Sequence, residues 1–156
     1  MVELRPAHTG ELALLWALRT RAVAATCAGH YSAAVLTAWL AAPAPDSLQR
    51  LLAQGGGLVA EEAGQVLGYA VLDAGAGEVD AVFVEPGQHG RGIGALLLGA
   101  VESAARAAGR ERLFLSASLN AVPFYRRAGF VAVREEMYPH RSGVEIPSVF
   151  MEKWLK

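Results

Sequence analysis

The chain has 156 residues, of which 53% are hydrophobic and 19% charged, and its formal net charge is −1. These values predict one folded domain over residues 1–156 and argue against a disordered chain or a nucleic-acid partner. The single cysteine, Cys27, excludes an internal disulfide. Because no segment has the pattern of a signal peptide or a membrane span, we expect a cytoplasmic protein with no membrane partner.

The first third of the chain predicts one strand followed by three helices. The alternating segment Val2–Arg5 is typical of a strand. Side chains that favour helix starts and glycines that favour helix ends then set the expected bounds. The first helix is capped by Thr9 and ended by Gly29, the second is capped by Ser32, and the third is capped by Asp46 and runs to about Gln54.

The rest of the chain predicts an antiparallel meander and then alternating helices and strands. Apolar, β-rich segments separated by glycine turns indicate three strands at Gly57–Glu61, Gln65–Asp73 and Glu78–Val84. A helical stripe from Ile93 ends near Gly109, and Asn120 is expected to cap a short helix through Tyr125. Further strands are expected at Leu113–Leu115, Phe130–Arg134 and Ser148–Lys153. We therefore predict a mixed α/β fold whose mostly antiparallel sheet is flanked by helices.

A glycine-rich turn, Gly90-x-Gly92-x-Gly94, lies between the third meander strand and the long helix. Glycines allow a ligand to approach the backbone, and the free N–H groups at a helix start favour a diphosphate. A tight turn made only for packing is the alternative at this point. A P-loop is excluded because no Lys-Ser or Lys-Thr follows, and a dinucleotide site lacks the acid expected after the strand at Leu113.

The wider context resembles the GNAT superfamily of N-acetyltransferases. Val82 to Pro86 followed by Gly90 to Leu97 is similar to its acyl-CoA-binding motif, and Asn120 to Tyr125 with Gly129-Phe130 is similar to its second signature. The resemblance implies acetyl-CoA as cofactor. One position departs from the family pattern, because His89 stands where Gln or Arg is expected and Gln88 comes one place early. The cofactor-binding residues that the resemblance implies are Val82, Phe83, Val84, Gln88, His89, Gly90, Arg91, Gly92, Ile93, Gly94, Asn120 and Tyr125.

The resemblance also assigns chemical roles. Tyr125 would be the general acid for the leaving thiolate, although it also fits a half-buried helix position. Glu78 and Asp80, which alternate along a strand, are candidates for the base that deprotonates the amine, or they form a solvated face. The sequence does not decide which of these two acids is the base. We expect direct transfer of an acetyl group to a primary amine, and the alternative is a non-catalytic acyl-CoA sensor.

The acceptor is less well defined by the sequence. Tyr31 and Trp39 resemble a pattern in one branch of small bacterial GNAT proteins whose first helices form the acceptor wall, and His140 lies in a similar C-terminal segment. These three residues are our acceptor-site candidates. The four histidines show no metal-ligand spacing, so no metal is expected. The resemblance leaves a homodimer open, and the partner that we expect is a small-molecule or peptide amine.

Overall fold

The protein, described here from a computed structural model over residues 1–140 and 143–156, is built on one mixed sheet of seven strands. The sheet order is β1-β2-β3-β4-β5-β7-β6. The strands are β1 Glu3–Pro6, β2 Gly57–Glu62, β3 Gln65–Asp73, β4 Glu78–Val84, β5 Arg112–Ser118, β6 Val131–Pro139 and β7 Glu145–Trp154. The helices are α1 Leu12–Thr26, α2 Ala33–Ala41, α3 Asp46–Ala53, α4 Ile93–Ala107 and α5 Val122–Arg127. The predicted fold class is confirmed.

Two hydrophobic cores form on opposite faces of the sheet. One core packs α4 and α5 against the sheet, with Leu97, Val101 and Tyr125 among its buried residues. The other packs α1 and α3 against β2 and β3, with Leu15 and Leu51 buried. Strand residues divide between the two cores because successive side chains point to opposite faces. The helices therefore bury both faces of the N-terminal half of the sheet.

Strands β4 and β5 are the parallel neighbours in an otherwise antiparallel sheet. Within the described residues, Glu78 and Phe114 form the single register pair between them. Next to it, the Phe114 N–H donates to the Gly77 carbonyl over 3.1 Å. The two strands then separate toward their carboxyl ends. This separation leaves the β4 edge that faces β5 without a ladder partner in the described part of the chain, and it opens a gap in the middle of the sheet.

The meander was predicted correctly, whereas four helix-end residues were not. Ser32 does cap α2, because its hydroxyl accepts a hydrogen bond from the Val35 N–H over 3.2 Å. Thr9 instead lies in a 3₁₀ turn, where the Glu11 carboxylate accepts from the His8 N–H over 2.9 Å. Helix α1 ends at Thr26, three residues before Gly29, and Asp46 is the first residue of α3 after Pro45. Asn120 lies in a 3₁₀ turn before α5 and does not cap it.

The last three strands are longer than predicted. The sequence Ser116-Ala117-Ser118 has weak strand preference, yet it belongs to β5 because β7 pairs with it throughout, from Arg112 with Trp154 to Ser118 with Ser148. Strand β6 continues to Pro139, past the charged residues Arg134 to Glu136 where the apolar pattern stops. Pairing with neighbouring strands overrides local preference in both places.

Candidate functional site

The glycine turn forms an open cradle at the start of α4. Gly90 and Gly92 have φ angles of 84° and 77°, in the left-handed region that favours glycine, and Gly92 is the N-cap residue of the helix. A Cβ atom added at either residue would meet no atom within 4 Å, so the space in front of both is open. The first helical hydrogen bond runs from the Leu96 N–H to the Gly92 carbonyl over 3.0 Å. The three preceding N–H groups, of Ile93, Gly94 and Ala95, therefore have no intrahelical acceptor.

Gly94 and Ile93 serve packing as well. A Cβ atom at Gly94 would lie 3.0 Å from the Phe124 ring and 3.7 Å from Val84. Gly94 therefore marks the point where β4, α4 and α5 meet, and its small size brings α5 close to the cradle. The Ile93 side chain is buried in the core, so only its backbone is available to a ligand. The third glycine thus has a packing function that the first two lack.

Three side chains hold the turn in place. The Arg91 guanidinium donates to the Gln88 side-chain oxygen over 2.7 Å and to both Glu62 carboxylate oxygens over 3.1 Å. Gln88 and Arg91 are therefore bound to protein groups on the turn and on β2. His89 is exposed and follows the 3₁₀ turn Pro86–Gln88 in an extended conformation. His89 is thus exposed beside the cradle, whereas Gln88 and Arg91 are engaged in hydrogen bonds.

Tyr125 belongs to α5 and is buried in the core that α4 and α5 form with the sheet. Its ring packs edge-on against Phe124 and Phe130, with ring centroids 5.0 and 5.8 Å away. Only 8% of the residue is exposed, and burial raises the pKa of its hydroxyl above the ordinary tyrosine value. The hydroxyl therefore keeps its proton at neutral pH. This protonation state is the one that a general acid requires.

Strand β4 carries the other predicted residues along the gap. Val84 is buried and Val82 partly buried against the core that contains Tyr125, while Phe83 packs against Tyr69 on the opposite face at 5.7 Å. On its other edge β4 pairs with β3, where Tyr69 faces Phe83 and Ala70 faces Val82. The unpaired edge of the same segment lines the gap between β4 and β5. Its backbone groups are thus available to an extended ligand in that gap.

The two acids lie beside a β-bulge on β4, near the closed end of this gap where Glu78 still pairs with β5. Val71 pairs with Ala81 and Leu72 with Val79, so Asp80 is the extra residue on β4. Desolvation by the surrounding protein raises the pKa of Asp80, and Asp73 raises it further while Arg50 opposes the shift. Desolvation also raises the pKa of Glu78, with added repulsion from Asp80 and Asp73.

Tyr138 is a neighbour of the acids that the sequence did not reveal. Burial raises the pKa of its hydroxyl, and the charges of Asp80 and Glu78 raise it further, so Tyr138 lies within electrostatic reach of both carboxylates. Its ring is 47% exposed near the end of β6. The predicted strand ended at Arg134 and left Tyr138 outside any element. No local pattern extends the strand to Tyr138, because pairing with β7 is what continues it.

Two of the three predicted acceptor residues, Tyr31 and Trp39, lie in the connection between α1 and α2 and in α2 itself. Tyr31 and Trp39 are half-buried and pack edge-on, with ring centroids 5.2 Å apart. The Tyr31 hydroxyl donates to the Pro147 carbonyl over 2.7 Å and accepts from the Leu119 N–H over 2.9 Å. His140 follows β6, and its N–H donates to the Val144 carbonyl over 3.0 Å. The structure therefore brings Tyr31 and Trp39 together, with the Tyr31 hydroxyl bound to backbone.

Asn120 is tied to the end of α1. Its side-chain oxygen accepts a hydrogen bond from the Cys27 thiol over 3.2 Å, and Cys27 is only 2% exposed. Burial raises the pKa of this thiol, so it stays protonated and able to donate. The Asn120 amide nitrogen remains available to other acceptors. A tie between residues 93 positions apart could not be read from the sequence.

These features define a class of protein. A helix-start cradle next to diverging parallel strands fits a cofactor that has a diphosphate and an extended, amide-bearing arm. The sequence profile described as "Acetyltransferase (GNAT) domain" matches residues 27–153. The chain belongs to the GNAT acetyltransferase family, whose cofactor is acetyl-CoA. No helix in the described ranges is long and apolar enough to cross a membrane.

Individual relatives agree with this family. A curated IAA acetyltransferase of Azospirillum brasilense is 38% identical over 103 residues, which span 62% of this chain and 65% of the relative, just under two thirds of its length. The crystal structure of a GCN5-related N-acetyltransferase from Rhodopseudomonas palustris is 28% identical, with a TM-score of 0.88 over 98% of this chain and 95% of that one. The PaiA N-acetyltransferase of Thermoplasma acidophilum, solved with coenzyme A, shares the fold at 20% identity, with a TM-score of 0.77 over 99% of both chains.

Proposed function

We propose that the chain transfers the acetyl group of acetyl-CoA directly to a primary amine of a small molecule or peptide. The observation that carries the proposal is the arrangement around the gap between β4 and β5. A protonated, buried tyrosine belongs to the core on one face of the sheet, and two carboxylates with raised pKa values lie at the bulge on β4. Acyl transfer to an amine requires one group that donates a proton and another that accepts one. Different surroundings can give the two groups these different roles.

The cofactor fits the residues that are present. The open space before Gly90 and Gly92, together with the free N–H groups at the start of α4, would hold the diphosphate, and the free edge from Val82 to Val84 would pair with the arm. When bound, acetyl-CoA supplies an acetyl group activated as a thioester. The uncharged Asn120 amide, oriented by Cys27, would contribute a donor near the arm.

Tyr125 is proposed to donate its proton to the leaving sulfur. Burial keeps the hydroxyl protonated before the reaction, and the developing thiolate charge would draw the proton across a short hydrogen bond. Phe124 and Phe130 fix the ring, so its orientation needs no adjustment during catalysis.

Asp80 or Glu78 is proposed to remove the amine proton, directly or through a water molecule. An alkylammonium ion has no lone pair, so its nitrogen attacks only after deprotonation. A raised carboxyl pKa makes either acid a stronger base than an ordinary surface carboxylate. The name of the Azospirillum relative, an acetyltransferase, supports this class of reaction.

The first test is Tyr125→Phe, assayed with a panel of amines by release of free coenzyme A thiol. Loss of the acid should lower kcat by roughly 100-fold, within the range of general acid catalysis, while acetyl-CoA affinity stays within about twofold. Tyr69→Phe is the matched control, because Tyr69 is a buried tyrosine of the opposite core. A parent chain that binds coenzyme A tightly but acetylates no amine would contradict the proposal and favour the acyl-CoA sensor.

A further inference from the structure

The Tyr31 hydroxyl connects three segments that are distant in sequence. Tyr31 lies in the connection between α1 and α2, where it forms an isolated bridge with Ala28. Its hydroxyl donates to the Pro147 carbonyl in β7 over 2.7 Å and accepts from the Leu119 N–H over 2.9 Å. One oxygen atom therefore fixes both the start of the β5–α5 turn and the first part of β7.

A second hydrogen bond joins the region between α1 and α2 to the turn before α5. The Cys27 thiol, four residues before Tyr31, donates to the side-chain oxygen of Asn120, which follows Leu119. The Tyr31 ring is also held, because it packs edge-on against Trp39 of α2. The connection between α1 and α2 thus holds two consecutive residues of the 3₁₀ turn Leu119–Ala121.

This turn leads directly into the six-residue helix that carries Tyr125. Helix α5 begins at Val122, one residue after the turn, and Tyr125 is its fourth residue. A hydrogen-bonded turn at the start of so short a helix controls where the helix lies against α4. A shift of about 1 Å in a reacting group lowers catalytic rates strongly.

We propose that Tyr31 is a positioning residue for the acetyl-transfer reaction, acting through the Leu119 turn on Tyr125. The inference rests on the proposed function. Its hydroxyl sets the distance between Tyr125 and the gap where the cofactor arm lies, and it also fixes the wall residue Trp39 relative to that gap. In this arrangement one residue positions both Trp39, through a ring contact, and Tyr125, through the Leu119 turn.

The test is a double-mutant cycle on kcat with Tyr31→Phe, Tyr125→Phe and the double variant. Tyr31→Phe keeps the ring and its contact with Trp39 but removes both hydroxyl hydrogen bonds. It should lower kcat about tenfold with the acetyl-CoA KM nearly unchanged, and it should have little further effect when Tyr125 is already phenylalanine. Equal losses from Tyr31→Phe in both backgrounds would overturn the proposal.

Ser32→Ala is the matched control in the same connection. It removes one side-chain-to-backbone hydrogen bond, from the Val35 N–H, but it has no bond to the Leu119 turn. Its kcat should equal that of the parent. If Ser32→Ala lowered kcat as much as Tyr31→Phe, a general loosening of the connection would explain the effect, and the positioning role would be rejected.

Hydrogen exchange of the Leu119 amide separates this inference from the proposed function. In Tyr31→Phe the amide loses its acceptor, so its exchange should accelerate at least about tenfold whether or not the chain turns over substrate. Unchanged exchange would overturn the tie itself. If the parent were inactive and the variant still exchanged faster, acetyl transfer and the positioning role of Tyr31 would both be rejected. The hydrogen bond between Tyr31 and the Leu119 amide would stand.

Discussion

At the scale of single residues, the two acids at the bulge share one repulsive environment. Desolvation raises the pKa of both carboxyl groups, Asp73 adds repulsion to each, and the charge of Asp80 adds to the shift of Glu78. Because repulsion between two carboxylates acts on both of them, removal of either acid should lower the pKa of the other. The base can therefore be identified as the acid whose substitution abolishes activity instead of shifting its pH dependence.

Asp80→Asn and Glu78→Gln should change the pH profile of kcat/KM in different ways. Both carboxyl pKa values are raised, so the basic form of either acid is lost as pH falls through that raised value. If Glu78 is the base, Asp80→Asn removes a repulsive charge, lowers the Glu78 pKa and moves the acidic limb to lower pH with activity retained. If Asp80 is the base, the same substitution abolishes the limb and lowers activity by roughly 100-fold.

Glu78→Gln completes the comparison. It should remove activity if Glu78 is the base, and it should move the acidic limb to lower pH with activity retained if Asp80 is the base. Retained activity and an unshifted limb in both variants would show that neither acid acts as the base and that the amine reaches the site already deprotonated. A pH titration of kcat/KM from pH 5 to 9 for the parent and both variants makes the distinction.

At the scale of elements, ion pairs fix the first strand to its surroundings. Arg5 on β1 donates to Glu11 over 2.7 and 2.9 Å and to Glu61 on β2 over 2.9 Å. The hydrogen bonds from Arg5 lower the pKa of Glu11 from its ordinary 4.5 to about 2. An edge strand of four residues has little pairing of its own, so these ion pairs contribute to its position.

Acid should therefore weaken the protein partly through Glu11. Its folded-state pKa is depressed, so its stabilisation is present above the ordinary pKa and is lost as pH falls from about 4.5 toward about 2. Glu11→Gln should lower the free energy of unfolding by about 1 kcal/mol at pH 7, after allowance for solvent screening, and by almost nothing near pH 2. Urea unfolding at both pH values measures this.

Glu135→Gln is the control for that experiment. Glu135 is exposed on β6, so its substitution should change the unfolding free energy little at either pH. An equal loss for Glu11→Gln at pH 7 and pH 2 would show that packing rather than charge holds the first strand.

The sequence predicted elements better than it predicted their ends. The meander over β2 to β4 was correct because alternating and β-branched residues between glycine turns are a local signal. Thr9, Asp46 and Asn120 were wrong as caps because each cap depends on which hydroxyl or carboxylate reaches a free N–H, and neighbouring residues compete for that position. Strand β6 was cut short because its pairing with β7, not its composition, extends it.

At the scale of the whole molecule, the site forms at the gap between β4 and β5, between the two hydrophobic cores. Helices α4 and α5 cover one face and α1 and α3 the other, while the unpaired edge of β4 lies between them. The resemblance predicted the cradle and the candidate acid and bases, because those residues fall in short motifs. The hydrogen bonds of Tyr31 and Cys27 join segments that are distant in sequence, and Tyr138 is likewise distant in sequence from the acids whose charges it senses. No local pattern in the sequence reveals these relations.

Because an extended ligand would complete the open edge, coenzyme A should stabilise the whole fold. A ligand at one hundred times its Kd adds about 2.7 kcal/mol, which corresponds to a rise in Tm of roughly 5–10 °C for a chain of this size. Gly92→Ala should reduce that rise, because alanine is strained at a φ of 77° and its Cβ would enter the cradle. Thermal unfolding with and without coenzyme A measures both effects.

Gly99→Ala is the control, since Gly99 lies within α4 with nothing within 4 Å of an added Cβ. This variant should be slightly more stable than the parent, by about 0.5–1 kcal/mol, and should keep the full response to coenzyme A. NAD should leave Tm unchanged, because β5 is followed by Leu119 and Asn120 and lacks the acid that binds the ribose in a dinucleotide site. A rise with NAD equal to that with coenzyme A would mean that the cradle recognises a diphosphate alone and that the β4 edge does not select the arm.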